Sequence, residues 1–191
     1  MHWQAIKRIL RYLKGTLNHA LHFQPTTPSS LLAYSDAGWL TDTDDSRSQY
    51  GYAIFHGSNL ISWTSRKQKV VARSSTEAKY RSLAYASAEL LWVQHLLKEL
   101  HATLPLPPKM PCDNVGAIFM TKNHVIHTRS KHIALDFHFI RELVESNLLH
   151  ISHVFSVDQL ADIYTKPLTK ERISLLRNKL NVRPAHALAG G

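Results

Sequence analysis

The hydrophobic pattern changes its period once along the chain, near residue 75, and this change limits the possible folds strongly. Before it, short apolar runs alternate with turn residues, from LLAYSDAGW at 31–39 to a stretch at 50–72 that is broken by turns at 56–59 and 65–68. After it, apolar residues recur every three or four positions, at Leu83, Ala86, Leu90, Val93, Leu97 and Leu100. The first part predicts three antiparallel strands, and the second predicts a helix of about 24 residues.

The rest of the sequence alternates strand and helix patterns. Short strands are predicted within PPKMPC and LLHISHVF, with one helix from near Asn114 and another across 127–146 between them. Two further helices are predicted over DQLADIYT and KERISLLRNKL. Strands separated by helices pair in parallel through crossover connections. The expected fold is therefore α/β, with a five-stranded mixed sheet, antiparallel at first and then parallel, and helices on both faces.

Three regions follow from the same patterns. Residues 1–30 hold a basic amphipathic helix, with a stop at Gly15, and the linker QPTTPSS. The main domain is expected at 31–180, and residues 181–191 are expected to form a disordered tail.

Charge and cysteine usage narrow the classes of function. The chain of 191 residues has 23 Lys and Arg against 14 Asp and Glu, which gives a net charge of +9 and favours a polyanionic partner, nucleic acid first. Cys112 is the only cysteine, which excludes an intrachain disulfide and a cysteine-built zinc site. No apolar run reaches the length of a membrane span, and no secretory signal is visible. The sequence predicts an intracellular protein, cytoplasmic or nuclear, without a membrane partner.

Four acidic residues fall at predicted strand or helix ends: Asp36, Glu77, Asp113 and Asp162. Functional groups collect at such ends in open α/β sheets. Converging carboxylates would repel one another unless cations neutralised them, and hard oxygen ligands suit Mg²⁺ or Mn²⁺. Glu77 has a second interpretation, because Ser74-Ser75-Thr76-Glu77 also fits a helix capping box.

Several segments, in fixed order from Leu31 to Leu180, resemble the ribonuclease H domain of copia-type LTR retrotransposon polyproteins: YSDAGW, SSTEAKYRSLA, CDNVGAI, RSKHIALDFHFIREL and VFSVDQLADIYTKPL. The segment before them resembles the connection to the reverse transcriptase. The resemblance implies a ribonuclease H-like fold and cleavage of the RNA strand of RNA–DNA hybrids with two Mg²⁺ or Mn²⁺ ions. It also implies the reverse transcriptase of the same polyprotein as a partner. The four acids above match the family's catalytic, metal-binding positions.

Departures from that family leave alternatives open. Relatives usually carry acidic residues at the positions of Gly38 and Lys79, an aspartate at Ala134 and a basic residue at Asp136. One alternative is a catalytically decayed module that still binds nucleic acid. A more remote one is a related nuclease acting on DNA, which normally needs only three acids.

A basic cluster is the candidate nucleic-acid surface. Lys122, Arg129, Lys131 and His132 precede or begin a predicted helix in the region where relatives approach the hybrid. An ordinary solvated basic face is the competing interpretation.

Overall fold

Strands from both halves of the chain form one mixed sheet. The structure is a computed structural model that describes residues 2–25, 30–41, 45–102, 104–122 and 131–185. Its strands are β1 (His19–Leu21), β2 (Leu31–Gly38), β3 (Gln49–His56), β4 (Asn59–Lys67), β5 (Lys109–Cys112), β6 (His150–His153) and β7 (Val182–Pro184). The main sheet has the order β4-β3-β2-β5-β6. β2, β3 and β4 pair antiparallel, whereas β5 pairs parallel with β2 and β6, so the predicted five-stranded mixed sheet is confirmed.

Helices cover both faces of this sheet. They are α1 (His2–Thr16), α2 (Ser75–Glu99), α3 (Val115–Lys122), α4 (Lys131–Glu145), α5 (Asp162–Thr165) and α6 (Lys170–Lys179). On one face, α2 and α4 bury a core that includes Leu83, Leu90 and Ile140 against the sheet. On the other face, Leu176 of α6 packs with Phe55 and Leu60 of the sheet. Leu83 and Leu90 belong to the spacing of three and four residues that predicts α2, so this pattern marks the side of α2 that faces the first core.

The C-terminal region differs from the sequence prediction. Val182–Pro184 forms β7, which pairs antiparallel with β1, whereas the sequence predicts a disordered tail from residue 181. Leu21 and Val182 pack against the core beside α6. This apolar contact, together with the backbone pairing, explains why both strands form. The predicted disordered tail is therefore wrong for residues 182–184, and β1 lies in the N-terminal region 1–30, between the predicted helix and the linker QPTTPSS.

The segment before α5 is less helical than predicted. The pattern DQLADIYT predicts a helix over 158–165, but a 3₁₀ turn ends at Asp158 and α5 begins only at Asp162. Between them Gln159 is fully buried, and its side-chain oxygen accepts from the Ala161 N–H at 3.2 Å. That side-chain contact satisfies a backbone donor outside a helix.

The part of the chain that the structure describes has no helix with the length and apolar character of a membrane span.

Candidate active site

Three aspartates meet at one edge of the sheet. Asp36 lies near the carboxyl end of the central strand β2, and Asp113 directly follows the neighbouring parallel strand β5. Asp162 is the first residue of α5. Because parallel strands end at the same edge, Asp36 and Asp113 come together by topology alone. One oxygen from each of the three carboxylates lies within 4.8 Å of the others.

A glycine on β3 allows α5 to reach this edge. Gly51 pairs with Asp36 across the sheet, and a β-carbon at Gly51 would collide with the β-carbon of Tyr164 in α5. The carbonyl of Tyr164 also accepts hydrogen bonds from Gln49 Nε2 at 2.9 Å and from Ser65 Oγ at 2.8 Å. The close approach of α5 to β3 thus depends on the missing side chain at Gly51, and it carries Asp162 into the cluster.

Two lysines form ion pairs with the three carboxylates. Lys79 of α2 places its ammonium 2.9 Å from Asp36 Oδ1 and 2.6 Å from Asp113 Oδ1. Lys166, just after α5, lies 2.6 Å from Asp162 Oδ1 and 3.4 Å from Asp36 Oδ2. Burial lowers the pKa of Lys79, but the two aspartates outweigh it, and the pKa lies above its ordinary value. Lys79 therefore stands in the cluster as a charged ammonium group.

The pKa values of two of the carboxyls are shifted in opposite directions. Burial by itself raises the pKa of Asp36, but Lys79, the Thr165 hydroxyl and Lys166 favour the charged form more strongly, so the pKa lies below its usual range. For Asp162, burial raises the pKa, Lys166 lowers it, and the two neighbouring aspartates raise it again, which leaves it above its usual value. Asp36 thus favours its charged form more than an isolated aspartate does, and Asp162 favours it less.

The fourth predicted acid, Glu77, lies outside this group. It is buried at the start of α2, where its Oε1 pairs with Arg81 at 2.9 Å and its Oε2 accepts from the Arg73 N–H at 3.0 Å. Ser74 Oγ accepts from the Glu77 N–H at 3.1 Å, so the capping half of the sequence interpretation is present. Thus the structure brings together Asp36, Asp113 and Asp162 but not Glu77.

Sequence reasoning missed the residues that hold the aspartates in place. The Thr165 hydroxyl donates to Asp36, and Ser156 Oγ donates to Asp113 Oδ2 at 3.3 Å. Arg172 NH2 lies 3.8 Å from Asp162 Oδ2. The i, i+4 spacing of Asp162 and Lys166 is a signal that could have been used, whereas the contacts across the sheet leave no mark in the sequence.

Relatives match the chain over nearly all of its length, although no protein-family model matches it. The Retrovirus-related Pol polyproteins from transposons RE2 and RE1 of Arabidopsis thaliana are 50% and 51% identical to it, over 100% and 95% of the chain. The corresponding polyprotein from transposon TNT 1-94 of Nicotiana tabacum is 36% identical over 92% of the chain. The chain belongs to the copia-type Pol polyprotein family. It spans only 13%, 12% and 13% of these three relatives.

Solved structures agree with the copia-type assignment at the level of fold. LC11-RNase H1, crystallised in complex with RNA/DNA hybrid, has a TM-score of 0.51 at 14% identity and covers 71% of the chain and 94% of its own. The N-terminal RNase H domain of Rv2228c from Mycobacterium tuberculosis has a TM-score of 0.52 at 9% identity, and the match covers 78% of this chain and 97% of the solved chain. This copia-type segment therefore has the ribonuclease H-like fold.

One departure from the usual copia-type residues has a packing counterpart in the structure. Gly38 stands where the resemblance leads us to expect an acidic residue, and a β-carbon there would lie 2.8 Å from the carbonyl oxygen of Thr165. It would also collide with the side chain of Thr41. A larger residue at Gly38 would therefore displace the end of α5 or the loop at Thr41.

The predicted basic cluster is described only in part. Lys122 is exposed at the last residue of α3. Arg129 lies outside the described residues, and Lys131 and His132 begin α4 with side chains that also lie outside the description. The nucleic-acid role of this cluster stays a prediction.

Proposed function

We propose that this domain hydrolyses the RNA strand of RNA–DNA hybrids with the help of divalent cations, Mg²⁺ or Mn²⁺, bound as a pair at the aspartate cluster. The observation that carries the proposal is the convergence of Asp36, Asp113 and Asp162 at the carboxyl ends of parallel strands in a ribonuclease H-like fold. The solved relative in complex with RNA/DNA hybrid supports the choice of substrate.

The donor set fits such cations. All three side chains offer hard carboxylate oxygens, which Mg²⁺ and Mn²⁺ prefer. Asp36 is fully buried, and its Oδ1 accepts no well-directed hydrogen bond from the described residues, although Lys79 lies 2.9 Å away. A buried oxygen without a well-directed hydrogen bond is suited to act as a ligand to a cation. Divalent cations held there would supply an acidified water and neutralise charge at the scissile phosphate.

The chain's own residues would keep the cluster in position for substrate. Thr165 fixes the orientation of the Asp36 carboxylate through its hydroxyl. Arg172 donates to the carbonyls of Val157 at 2.6 Å and Ser156 at 3.3 Å, and it also lies beside Asp162. It therefore ties the segment before α5 to α6 and restrains the side of the cluster that α5 contributes.

Glu77 is proposed as a fourth ligand only when its ion pair with Arg81 is broken. Its carboxylate would have to release Arg81, which is buried and pairs with it. Breaking that pair has a free-energy cost, so the three aspartates are proposed as the primary ligands and Glu77 as a ligand that joins only when Arg81 is released.

Cleavage assays on three substrates test this function: RNA–DNA hybrid, double-stranded RNA and double-stranded DNA. We expect the purified chain to cut the RNA strand of a labelled hybrid in Mg²⁺ or Mn²⁺, to leave double-stranded DNA intact, and to stop in EDTA. The 2′-hydroxyl that distinguishes RNA from DNA is the physical basis of this choice. Equal cutting of double-stranded DNA would support a DNA nuclease in place of the proposed function.

A second candidate function has a specific observation in its favour. Lys79 already forms ion pairs with two of the three aspartates, as it would in a module that binds hybrid without turnover. Tight hybrid binding in EDTA with no cleavage at any Mn²⁺ concentration would support this catalytically decayed module.

Binding itself should depend on the basic cluster. If Lys122, Arg129 and Lys131 neutralise phosphates, changing each to glutamine should weaken hybrid binding and flatten its dependence on salt. The log–log slope should fall by about one unit for each phosphate that is no longer neutralised. Fluorescence anisotropy at several salt concentrations measures that slope. Unchanged slopes would return the cluster to an ordinary solvated face.

The proposed partner besides the hybrid is the reverse transcriptase of the same polyprotein, because the relatives at high identity are Pol polyproteins many times longer than this chain. A polymerase and a nuclease on one polypeptide would act on the same hybrid.

A further inference from the structure

The ammonium group of Lys79 lies between two carboxylates of the candidate active site. It lies 2.6 Å from one carboxylate and 2.9 Å from another, and only 15% of its side chain is exposed. The second lysine is different, because Lys166 lies on the rim with 34% of its side chain exposed. Lys79 is thus the cation that bridges the two aspartates contributed by the parallel strands.

The position of Lys79 follows from how α2 is fixed to the sheet. Three residues further along the helix, and so on the same face, Ser82 is fully buried and its hydroxyl donates to the carbonyl of Asp36 at 2.8 Å. Gln68 also donates to the carbonyl of Ala78 at 2.8 Å. These contacts fix the backbone of this turn, so Lys79 can leave the cluster only by moving its flexible side chain.

We propose that Lys79 is a built-in counter-ion that competes with divalent cations for Asp36 and Asp113, so that a cation binds only when the Lys79 side chain moves out. This inference rests on the proposed metal site and adds to it a device that sets its affinity. Without a cation, the lysine stabilises carboxylates that would otherwise repel one another. A divalent cation in contact with both aspartates would repel an ammonium held between them.

Manganese binding tests the competition directly. We expect Lys79→Gln to bind Mn²⁺ about tenfold more tightly than the unchanged chain, because a positive charge that opposes the ion is gone. Lys98→Gln is the matched control, since Lys98 is an exposed lysine near the other end of α2, and it should leave the affinity unchanged. Electron paramagnetic resonance of free Mn²⁺ gives the affinity.

In EDTA, Lys79→Gln should melt at a lower temperature than the unchanged chain. Mn²⁺ should raise the melting temperature of Lys79→Gln by more than it raises that of the unchanged chain.

A measurement on the unchanged chain is independent of whether the variant folds. Acetic anhydride modifies free amines, and mass spectrometry can follow the modification of Lys79 relative to that of Lys98. We expect saturating Mn²⁺ to raise the relative rate at Lys79 several-fold, because the amine leaves its ion pairs.

Equal Mn²⁺ affinity in the unchanged chain and Lys79→Gln, or a Lys79 that stays protected while Mn²⁺ is bound, would overturn the inference. Absence of Mn²⁺ binding in both proteins would overturn it as well. Failure of the proposed function looks different: Mn²⁺ would bind more tightly to Lys79→Gln, yet neither protein would cut hybrid.

Discussion

Changing Asp36 to asparagine is expected to reduce hybrid cleavage by about a thousandfold or more, because it removes the central charge of a cation site. Asp36 is the one aspartate that contacts both lysines, and it also accepts from Thr165. Asparagine has nearly the same shape and keeps an oxygen for the Thr165 hydroxyl, so the variant should fold. The single-turnover cleavage rate measures the effect, with circular dichroism to verify the fold.

Asp158→Asn is the matched control for this experiment. Asp158 is exposed in the 3₁₀ turn near the site, and it pairs with Lys179 at 3.0 Å on the surface. Surface ion pairs contribute little to stability, so cleavage and folding should both persist. A fully active Asp36→Asn protein would show that the cluster does not carry the chemistry.

Changing Glu77 to glutamine is expected to lower the free energy of unfolding by about 3 kcal/mol, because it leaves a buried guanidinium without its carboxylate. If Glu77 were one of four converging carboxylates, as the sequence predicts, the stability of this variant in EDTA should instead hold or rise. The structure reverses that expectation, because Arg81 is only 5% exposed and pairs with Glu77. Urea denaturation in EDTA measures this decrease.

Two further variants separate the ion pair of Glu77 with Arg81 from the cap on the Glu77 N–H. Replacing both partners, with Glu77→Gln and Arg81→Met together, should recover much of the stability, because no buried charge then remains unpaired. Ser74→Ala removes only the cap on the Glu77 N–H and should cost about 1 kcal/mol. If Glu77→Gln proves as stable as the unchanged chain, the Arg81 ion pair contributes nothing to the fold.

The sheet and the three aspartates of the site could be predicted from the sequence, and local patterns together with the strand order account for the sheet and for two of these aspartates. The change of period near residue 75 separates the antiparallel strands from α2, and the parallel pairing of β2 with β5 then places Asp36 beside Asp113. The pairing of β1 with β7 could not be predicted, since two three-residue strands meet from opposite ends of the chain. Contacts at that sequence separation leave no periodic signal.

The site itself shows which side-chain contacts a sequence can and cannot reveal. Arg81 follows Glu77 by four residues on a predicted helix, so this ion pair was available to the i, i+4 rule and was missed. In the sequence, Lys79 stands out only as a departure from the family. Nothing in the one-dimensional pattern says that its ammonium lies between the carboxylates of Asp36 and Asp113. Its position depends on how α2 crosses β2, which is a property of the packed fold.

Diffraction from crystals grown with Mn²⁺ tests the central claim most directly, because anomalous scattering locates the ion without assumptions about activity. If the three aspartates form a metal centre, an anomalous peak is expected in contact with Asp36, Asp113 and Asp162, with the Lys79 side chain moved away from Asp36 and Asp113. No peak at the three aspartates at saturating Mn²⁺, with Lys79 still between Asp36 and Asp113, would contradict it.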